Sequence, residues 1–278
     1  MPELPDLVYI QKRLSANLAG KRISSLLIKQ PIVFRILIPG QVEQALVGRE
    51  FTQVSRHGPF LDFKLSGDMA IVLHPMLAGK LKYVSSSEKV GRGRCFSIGF
   101  ADGNVLHYLD DKRMGKVYVI GVADYDQIPR FLQQGVNILS KDFTVDVFRD
   151  LIKKRRNQVR VFLMDQTGLS AIGNAYADEI LFDAGIHPKT LCYQLNASDV
   201  EELYNSIKKV IAWGIAEVEK ANQSIEKKVR DHVKVRNRKD QPCPRCGTTI
   251  RRAGVLGHDT FFCPQCQPAA MKQFIDWS

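Results

Sequence analysis

Cys243, Cys246, Cys263 and Cys266 stand in two C-x-x-C knuckles separated by sixteen residues, and this spacing constrains the C-terminal part of the chain more than any other feature. A C-x-x-C turn aims two thiolates at one ion, and a second turn across a short hairpin supplies the other two, which closes a tetrahedron. A closed site leaves no coordination position free, so the reading is one structural zinc ion that holds a fold and does no chemistry. Two disulfides or a redox dithiol are the alternatives for the same four residues. The N-terminus MPELPDLVYI lacks the charged, apolar and cleavable pattern of a secretory signal, so nothing points to an oxidising compartment.

A chain of 278 residues with 45% hydrophobic content can bury a sizeable core and divides more readily into two or three domains than one. No run approaches eighteen apolar residues, so a soluble, cytoplasmic protein with no membrane association is expected. The net charge of +11 favours a polyanionic partner, because each neutralised phosphate releases counterions. The charge is concentrated in two runs, Arg149 to Arg160 (RDLIKKRRNQVR) and Ile225 to Asp240 (IEKKVRDHVKVRNRKD), and the second leads into knuckles that carry Arg245, Arg251 and Arg252. A basic run is ordinarily a solvated helix face. Two of them bracketing a zinc hairpin predict a groove that tracks phosphates.

Periodicity separates two kinds of structure. Pro5 to Leu18 reads as an amphipathic helix with Leu7, Ile10, Leu14 and Leu18 on one face. From Gly20 to about Val122, short β-branched and apolar runs alternate with Gly and Asp turns, at 22–28, 33–38, 51–54, 60–65, 69–73, 95–100, 105–108 and 116–120. That spacing suits an antiparallel sandwich or barrel. Helical periods follow near 125–134, 145–154, 159–164, 175–184 and 197–218. The expected fold class is therefore α+β and multi-domain. A leading helix and β-sandwich or barrel would occupy 1–122, a helical domain 123–240, and a zinc-ribbon hairpin with its tail 241–278.

Within the helical part, LSAIGNAYADEILFDAGIHP (Leu169 to Pro188) is the most specific segment after the cysteines. Gly173 and Asn174 form a tight turn before a helix that Gly185 and Pro188 stop. Such a turn offers backbone N–H groups and the Asn174 amide to a phosphate at a helix N-terminus, where the dipole favours an anion. Plain helix capping is the alternative for this pair.

These three segments, the opening MPELPDLVYI, LSAIGNAYADEILFDAGIHP and CPRCGTTIRRAGVLGHDTFFCPQCQ, resemble the formamidopyrimidine-DNA glycosylase and endonuclease VIII family in order and spacing over nearly the whole chain. The resemblance implies a helix-two-turn-helix in the middle domain and a zinc finger at the end. It also implies base-excision repair, in which a damaged base is flipped from double-stranded DNA and removed and the abasic strand is cleaved. Once Met1 is removed, the secondary amine of Pro2 would attack the deoxyribose C1′ and form an iminium, with Glu3 as the acid-base group. Without the resemblance, P-E-L-P reads as a helix start with Pro and an acid in the first turn.

Other positions follow the family unevenly. His74, in HPMLAG, matches a phosphate contact. Leu77, Lys112 and Met114 occupy the three positions whose side chains fill the gap left by a flipped base, and apolar wedges can hold such a gap. Where the family hairpin reads R-R-G-K-Y-L, this chain reads Arg56, His57, Gly58, Pro59, Phe60, with proline in place of the lysine. The finger arginine that grips the lesion phosphate is His258, and the usual glutamate at the sixth position is the shorter Asp6. The glycine- and threonine-rich G-G-T-T-L-R-D stretch of enzymes that act on oxidised purines gives way to AEVEKANQSIE (Ala216 to Glu226). That change makes a capped 8-oxoguanine pocket unexpected.

Cys95 and Cys192 are left over as buried reduced thiols. In the tail Met271 to Ser278, Phe274, Ile275 and Trp277 are expected to pack on the body or meet a partner. Two functions from different classes follow. One is a monomeric glycosylase and abasic-site lyase working at the nucleoid. The other is a catalytically reduced protein of the same fold that binds damaged or kinked DNA, because Pro59 and His258 replace two gripping positions. An RNA- or ribosome-associated zinc protein is a third and weaker reading, since the P-E-L-P opening does not predict it.

Overall fold

The computed structural model describes residues 1–269, so the tail expectation on 271–278 falls outside the described residues. The chain divides into two compact units, one of Met1–Gln133 with Val218–Val229 and one of Gln134–Glu217 with the residues from Arg230 onward.

In the first unit, helix α1 (Leu4–Leu18) buries Leu4, Leu7, Ile10, Leu14 and Leu18, the stripe its spacing predicts. The strands are β1 (Ile23–Ile28), β2 (Phe34–Ile36), β3 (Phe51–His57), β4 (Phe60–Leu65), β5 (Met69–His74), β6 (Lys80–Ser85), β7 (Arg94–Phe100), β8 (Asn104–Leu109) and β9 (Lys116–Gly121), with the short helix α2 (Val42–Leu46) between β2 and β3. They form a five-stranded sheet ordered β2-β9-β5-β4-β3 and a four-stranded sheet ordered β1-β7-β8-β6. All pairings are antiparallel except β2 with β9. Phe51, Phe63, Ile71 and Leu73 of one sheet face Leu81, Phe96, Ile98 and Leu106 of the other, which is the sandwich core.

Two expectations need correction here. The 125–134 segment is not an α-helix: a single 3-10 turn covers Tyr125–Gln127, and Pro129 withholds the N–H that a continuing helix needs. Its apolar residues keep a helical spacing because Tyr125, Ile128 and Phe131 pack on Phe60, Val72 and Tyr118 of the sheet. The 33–38 run divides into a 3-10 turn (Pro31–Val33) and the three-residue β2.

The second unit contains α3 (Val145–Lys153), α4 (Val159–Leu163), α5 (Asn174–Asp183) and most of α6 (Ala197–Ala221), then the hairpin β10 (Arg251–Val255) and β11 (His258–Phe262). Gly185 stops α5 as expected, with φ 69° and the Ile186 N–H donating to Leu181 O at 3.0 Å. Phe182 of α5 packs with Val235, Ile250, Phe261 and the thiols of Cys243 and Cys263, so helix and finger share one core. Among the described residues no helix is long and apolar enough to cross a membrane.

Candidate active site

In the first unit, the start of α1 brings Pro2 to the wall of a concavity. Glu3 is the N-cap: its carboxylate accepts from the Asp6 backbone, and the Asp6 carboxylate accepts from the Glu3 N–H at 2.8 Å. Pro2, Glu3 and Asp6 are buried, and Glu3 and Asp6 form the helix cap that their sequence pattern also suggests. Pro2 and Asp6 line a small concavity together with Lys80, Ile225 and Lys228. The Met1 amine donates to Leu77 O at 3.2 Å. Burial, and then the charge and hydrogen bond of Lys228, lower that amine to about 6 against the opposing pull of Glu3 and Asp6. The Met1 amine is therefore mostly unprotonated at neutral pH.

Two loops follow the sandwich edge nearby. His74 closes β5, where its Nδ1 accepts from the Met76 N–H at 3.1 Å and its ring meets Phe60 edge-on at 4.8 Å. Burial, with lesser effects of Lys116 and the N-terminus, lowers His74 to about 4, so it offers a neutral Nε2–H rather than a charge. Leu77 follows Met76, whose φ is 51°, and Met114 follows Arg113, whose φ is 53°. Leu77 is 56% and Met114 40% exposed, and Lys112 is exposed as well, so all three expected gap-filling side chains point to solvent. Asp110 shapes the second loop by accepting from the Lys112 N–H at 3.1 Å and the Gly115 N–H at 2.7 Å. The buried Tyr108 hydroxyl lies against both Gly79 and Gly115, which ties the two loops together.

The β3–β4 turn explains the absent lysine in conformational terms. Gly58 takes φ 53° and Pro59 follows it, buried, in a two-residue turn between the paired His57 and Phe60. Arg56 arches back to donate to Gly58 O at 2.8 Å, and burial lowers it to about 10, so it stays charged at neutral pH. His57 is committed too, with Nε2 at 2.8 Å from Phe131 O and its ring tilted by 34° against Phe131, with centroids 4.4 Å apart.

In the second unit one guanidinium organises the expected phosphate contacts. Arg160 is 1% exposed, and its Nε donates to Asp178 Oδ1 at 2.9 Å. Its Nη2 donates to Asn174 Oδ1 at 2.8 Å and to Asp259 O at 3.0 Å. Asp178 also accepts from Arg236 at 2.8 Å, Thr260 Oγ1 at 2.7 Å and the Phe261 N–H at 3.2 Å. Glu179 accepts the backbone N–H groups of Lys234, Val235 and Arg236 at 2.8 to 3.0 Å. His258, exposed beside Asp259, follows a Leu256–Gly257 turn in which both residues have positive φ. Arg160 thus joins Asn174 to the carbonyl of Asp259, the residue after His258.

Sequence reading missed Arg160, Asp178, Glu179 and Arg236. It placed Arg160 among the phosphate-tracking residues, and the structure buries it. The basic runs are also partly consumed within the fold: Arg149 pairs with Asp146 and Glu201, Arg155 with Asp165, and Arg236 lies 5.0 Å over the Phe261 ring. Lys153, Lys154 and Arg156 remain exposed.

The four cysteine sulfurs lie within 4.8 Å of one another, with Cys243 to Cys266 at 3.9 Å and Cys246 to Cys263 at 3.5 Å. A tetrahedral ion with bonds near 2.3 Å sets sulfurs about 3.8 Å apart, whereas a disulfide needs about 2 Å. The residues fit one structural zinc ion. Cys95 and Cys192 are free and buried, as expected.

A leading helix on a β-sandwich, a glycine-asparagine helix start and a four-cysteine finger together define the class of DNA-repair glycosylases with a helix-two-turn-helix. Residues 1–117 match the formamidopyrimidine-DNA glycosylase N-terminal domain, 134–226 the H2TH domain of the same enzyme, and 240–269 the zinc finger found in FPG and IleRS. Formamidopyrimidine-DNA glycosylase of Symbiobacterium thermophilum is 31% identical, with 96% of this chain and 90% of that protein covered. The enzyme of the same name from Pelotomaculum thermopropionicum is 27% identical over 96% and 99%. The Lactococcus lactis enzyme in complex with an abasic site containing DNA superposes with a TM-score of 0.87 at 26% identity, covering 96% of this chain and all of that one. The chain belongs to the formamidopyrimidine-DNA glycosylase family.

Proposed function

We propose that this chain excises a damaged base from double-stranded DNA and cleaves the strand at the resulting abasic site, with the Pro2 amine as nucleophile after removal of Met1. The observation that carries the proposal is the position of Pro2, buried at the start of α1 and lining one concavity together with Asp6. The Pro2 nitrogen lone pair attacks C1′ as the glycosidic electron pair leaves with the base, which takes up a proton. Opening of the sugar ring, with Glu3 delivering a proton to the ring oxygen, gives an iminium. The iminium acidifies the C2′ hydrogens, and loss of one expels the 3′ phosphate.

His74, Asn174 and His258 serve as phosphate contacts, and Leu77, Lys112 and Met114 fill the gap left by the flipped base. A neutral His74 binds phosphate as a hydrogen-bond donor alone. Lactococcus lactis relatives have been solved with DNA containing an abasic site, an oxidised pyrimidine or an N7-benzyl-Fapy-dG. The short segment after α6 favours the abasic site, an oxidised pyrimidine or a ring-opened purine here over 8-oxoguanine. The enzyme works as a monomer inside the cell, at the nucleoid.

Borohydride reduction during reaction with an abasic-site duplex tests this directly. The expected result is a covalent adduct mapping to Pro2 in protein whose intact mass lacks Met1. Tight binding without any adduct would support the second reading, damage recognition without catalysis, which the buried Pro59 at the hairpin position favours.

A further inference from the structure

Left-handed backbone is spread unevenly over the turns of this chain. Among the described residues, Asp68, Asn222, Asn237 and Asp240 take positive φ, and their short polar side chains tolerate it. Met76, Arg113, Arg130, Ala171 and Leu256 take it without that local compensation. Three of these five lie on turns expected to meet DNA: Met76 just before Leu77, Arg113 just before Met114, and Leu256 two residues before His258. The first two turns hold out an apolar side chain, with Leu77 56% and Met114 40% exposed. On the third the left-handed residue is itself the apolar one, and Leu256 is 74% exposed. The finger core of Phe182, Val235, Ile250 and Phe261 does not include it.

Leu256 and Gly257 are the two central residues of the β10–β11 hairpin, between the paired Val255 and His258, with φ 45° and 76°. Two left-handed central residues make a type I′ turn, for which asparagine-glycine is a favoured pair. Leucine brings no side-chain hydrogen bond to offset the strain. The tip stands clear of the described fold, since a Cβ at Gly254 or Gly257 would meet nothing within 4 Å. Its base is fixed. Val255 and Thr260 are buried, and the Asp259 carbonyl accepts from Arg160 at 3.0 Å and from Arg236 at 2.7 Å. The hairpin alone gains nothing from leucine at this position and would gain from asparagine.

We propose that Leu256 is a DNA-contacting residue of the finger, an apolar wedge that packs on the deoxyribose faces and minor-groove edge of the duplex beside the phosphate that His258 meets. This rests on the reading of His258 as a phosphate contact and not on the Pro2 chemistry. Leucine and methionine serve as wedges in the minor groove because they remove apolar surface from water and ask for no hydrogen bond. The tip is flanked by charge of the matching kind. Arg251, Arg252 and His258 are exposed around it, and the nearby Asp259 carboxylate is already paired with Arg252 at 3.5 Å. Cations grip phosphates on the rim while the leucine fills the space between them, and the rigid base keeps the wedge in register with the Asn174 turn that Arg160 ties to it.

The test uses the full chain and a duplex carrying an uncleavable abasic-site analogue, so that binding is read without dependence on the nucleophile. Leu256→Asn and Leu256→Met are compared with the wild type and with Leu132→Asn, which alters a leucine 64% exposed on no turn expected to meet DNA. Leu256→Asn should raise the dissociation constant roughly five- to tenfold. The slope of log K against log salt should stay unchanged, because no phosphate contact is lost. The melting midpoint of Leu256→Asn should equal or exceed that of the wild type, since asparagine relieves the turn. Leu256→Met should bind within about twofold of the wild type, because the apolar volume is kept, and Leu132→Asn should match it. A dissociation constant that does not move in Leu256→Asn overturns the contact. A lowered melting midpoint overturns it as well, because the leucine then packs within the chain. A reduced salt slope does so too, because the turn has then carried His258 off its phosphate.

Discussion

Arg160 Nη2 donates to Asn174 Oδ1 at 2.8 Å, and a guanidinium carries no acceptor, so the amide oxygen faces inward and the amide hydrogens face away from the protein interior. An exposed asparagine would flip between its two orientations. Here the flip would set two donors against each other. The buried pair of Arg160 and Asp178 thus presets the group proposed to meet phosphate, and it does so from beneath the surface.

Replacing Arg160 by methionine would leave Asp178 buried with Arg236 as its remaining cationic partner and would strand the Asp259 carbonyl with a single donor. Loss of one member of a buried pair costs about 3 to 5 kcal/mol, whereas exposed pairs such as Arg252 with Asp259 are worth less than about 1 kcal/mol. Urea denaturation should show the larger loss for Arg160→Met and almost none for Arg252→Met. Arg160→Lys should fare nearly as badly as the methionine, because a single ammonium cannot serve Asp178, Asn174 and Asp259 together.

Zinc removal should act on the helix as well as on the finger. The thiols of Cys243 and Cys263 pack with Phe182 of α5, so chelation loosens a core that reaches the helix bearing Asn174. Hydrogen exchange should rise first in 251–262 and then in 174–183 after a chelator is added, and affinity for an abasic-site duplex should fall at least tenfold. Protection that persists in both segments without metal would contradict a structural role for the ion.

What sequence could show, and what it could not, follows from whether the cause is local. The α1 stripe of Leu7, Ile10, Leu14 and Leu18 and the four thiols were legible because periodicity and spacing are properties of neighbouring residues. Strand β6 escaped detection: KLKYVS pairs only with β8 at a sheet edge, and its alternating lysines, Lys80 exposed and Lys82 paired with Glu88, leave no apolar run to mark it. Tyr125, Ile128 and Phe131 imitated a helix because they meet a sheet at the same spacing. Arg160 looked like part of a basic face because its acid, Asp178, lies eighteen residues away. Tertiary pairing of that kind leaves no trace in a local window.

The lowered His74 predicts an acid-side loss of stability with a definite sign. Its ring titrates at about 4 in the fold and near 6.5 in the unfolded chain, so the unfolded state binds more protons between those values. The stability from keeping it neutral is complete above pH 6.5 and is lost as pH falls toward 4, to an extent of about 3 kcal/mol at most. His74→Asn should flatten the profile in that window, because the amide can still accept the Met76 N–H but cannot titrate. The measurement is the denaturation midpoint at pH 4, 5, 6 and 7 for both proteins.

The Tyr108 hydroxyl makes a prediction in which one change should rescue another. A Cβ at Gly115 would overlap that hydroxyl, and Tyr108 is fully buried, so its ring cannot swing aside. Gly115→Ala should cost about 1 to 3 kcal/mol and displace the loop that carries Lys112 and Met114. Tyr108→Phe alone removes an oxygen whose hydrogen bond to Asp110 is long, at 3.4 Å, and should cost about 1 kcal/mol. The double variant should be less destabilised than the sum of the two, since the phenylalanine removes the worst overlap, that with the hydroxyl, and leaves the ring carbon at 2.7 Å from the new methyl, and thermal melts of all four proteins would show the coupling. Strict additivity would mean that the loop is held by Asp110 alone and that Tyr108 does not tie the two loops together.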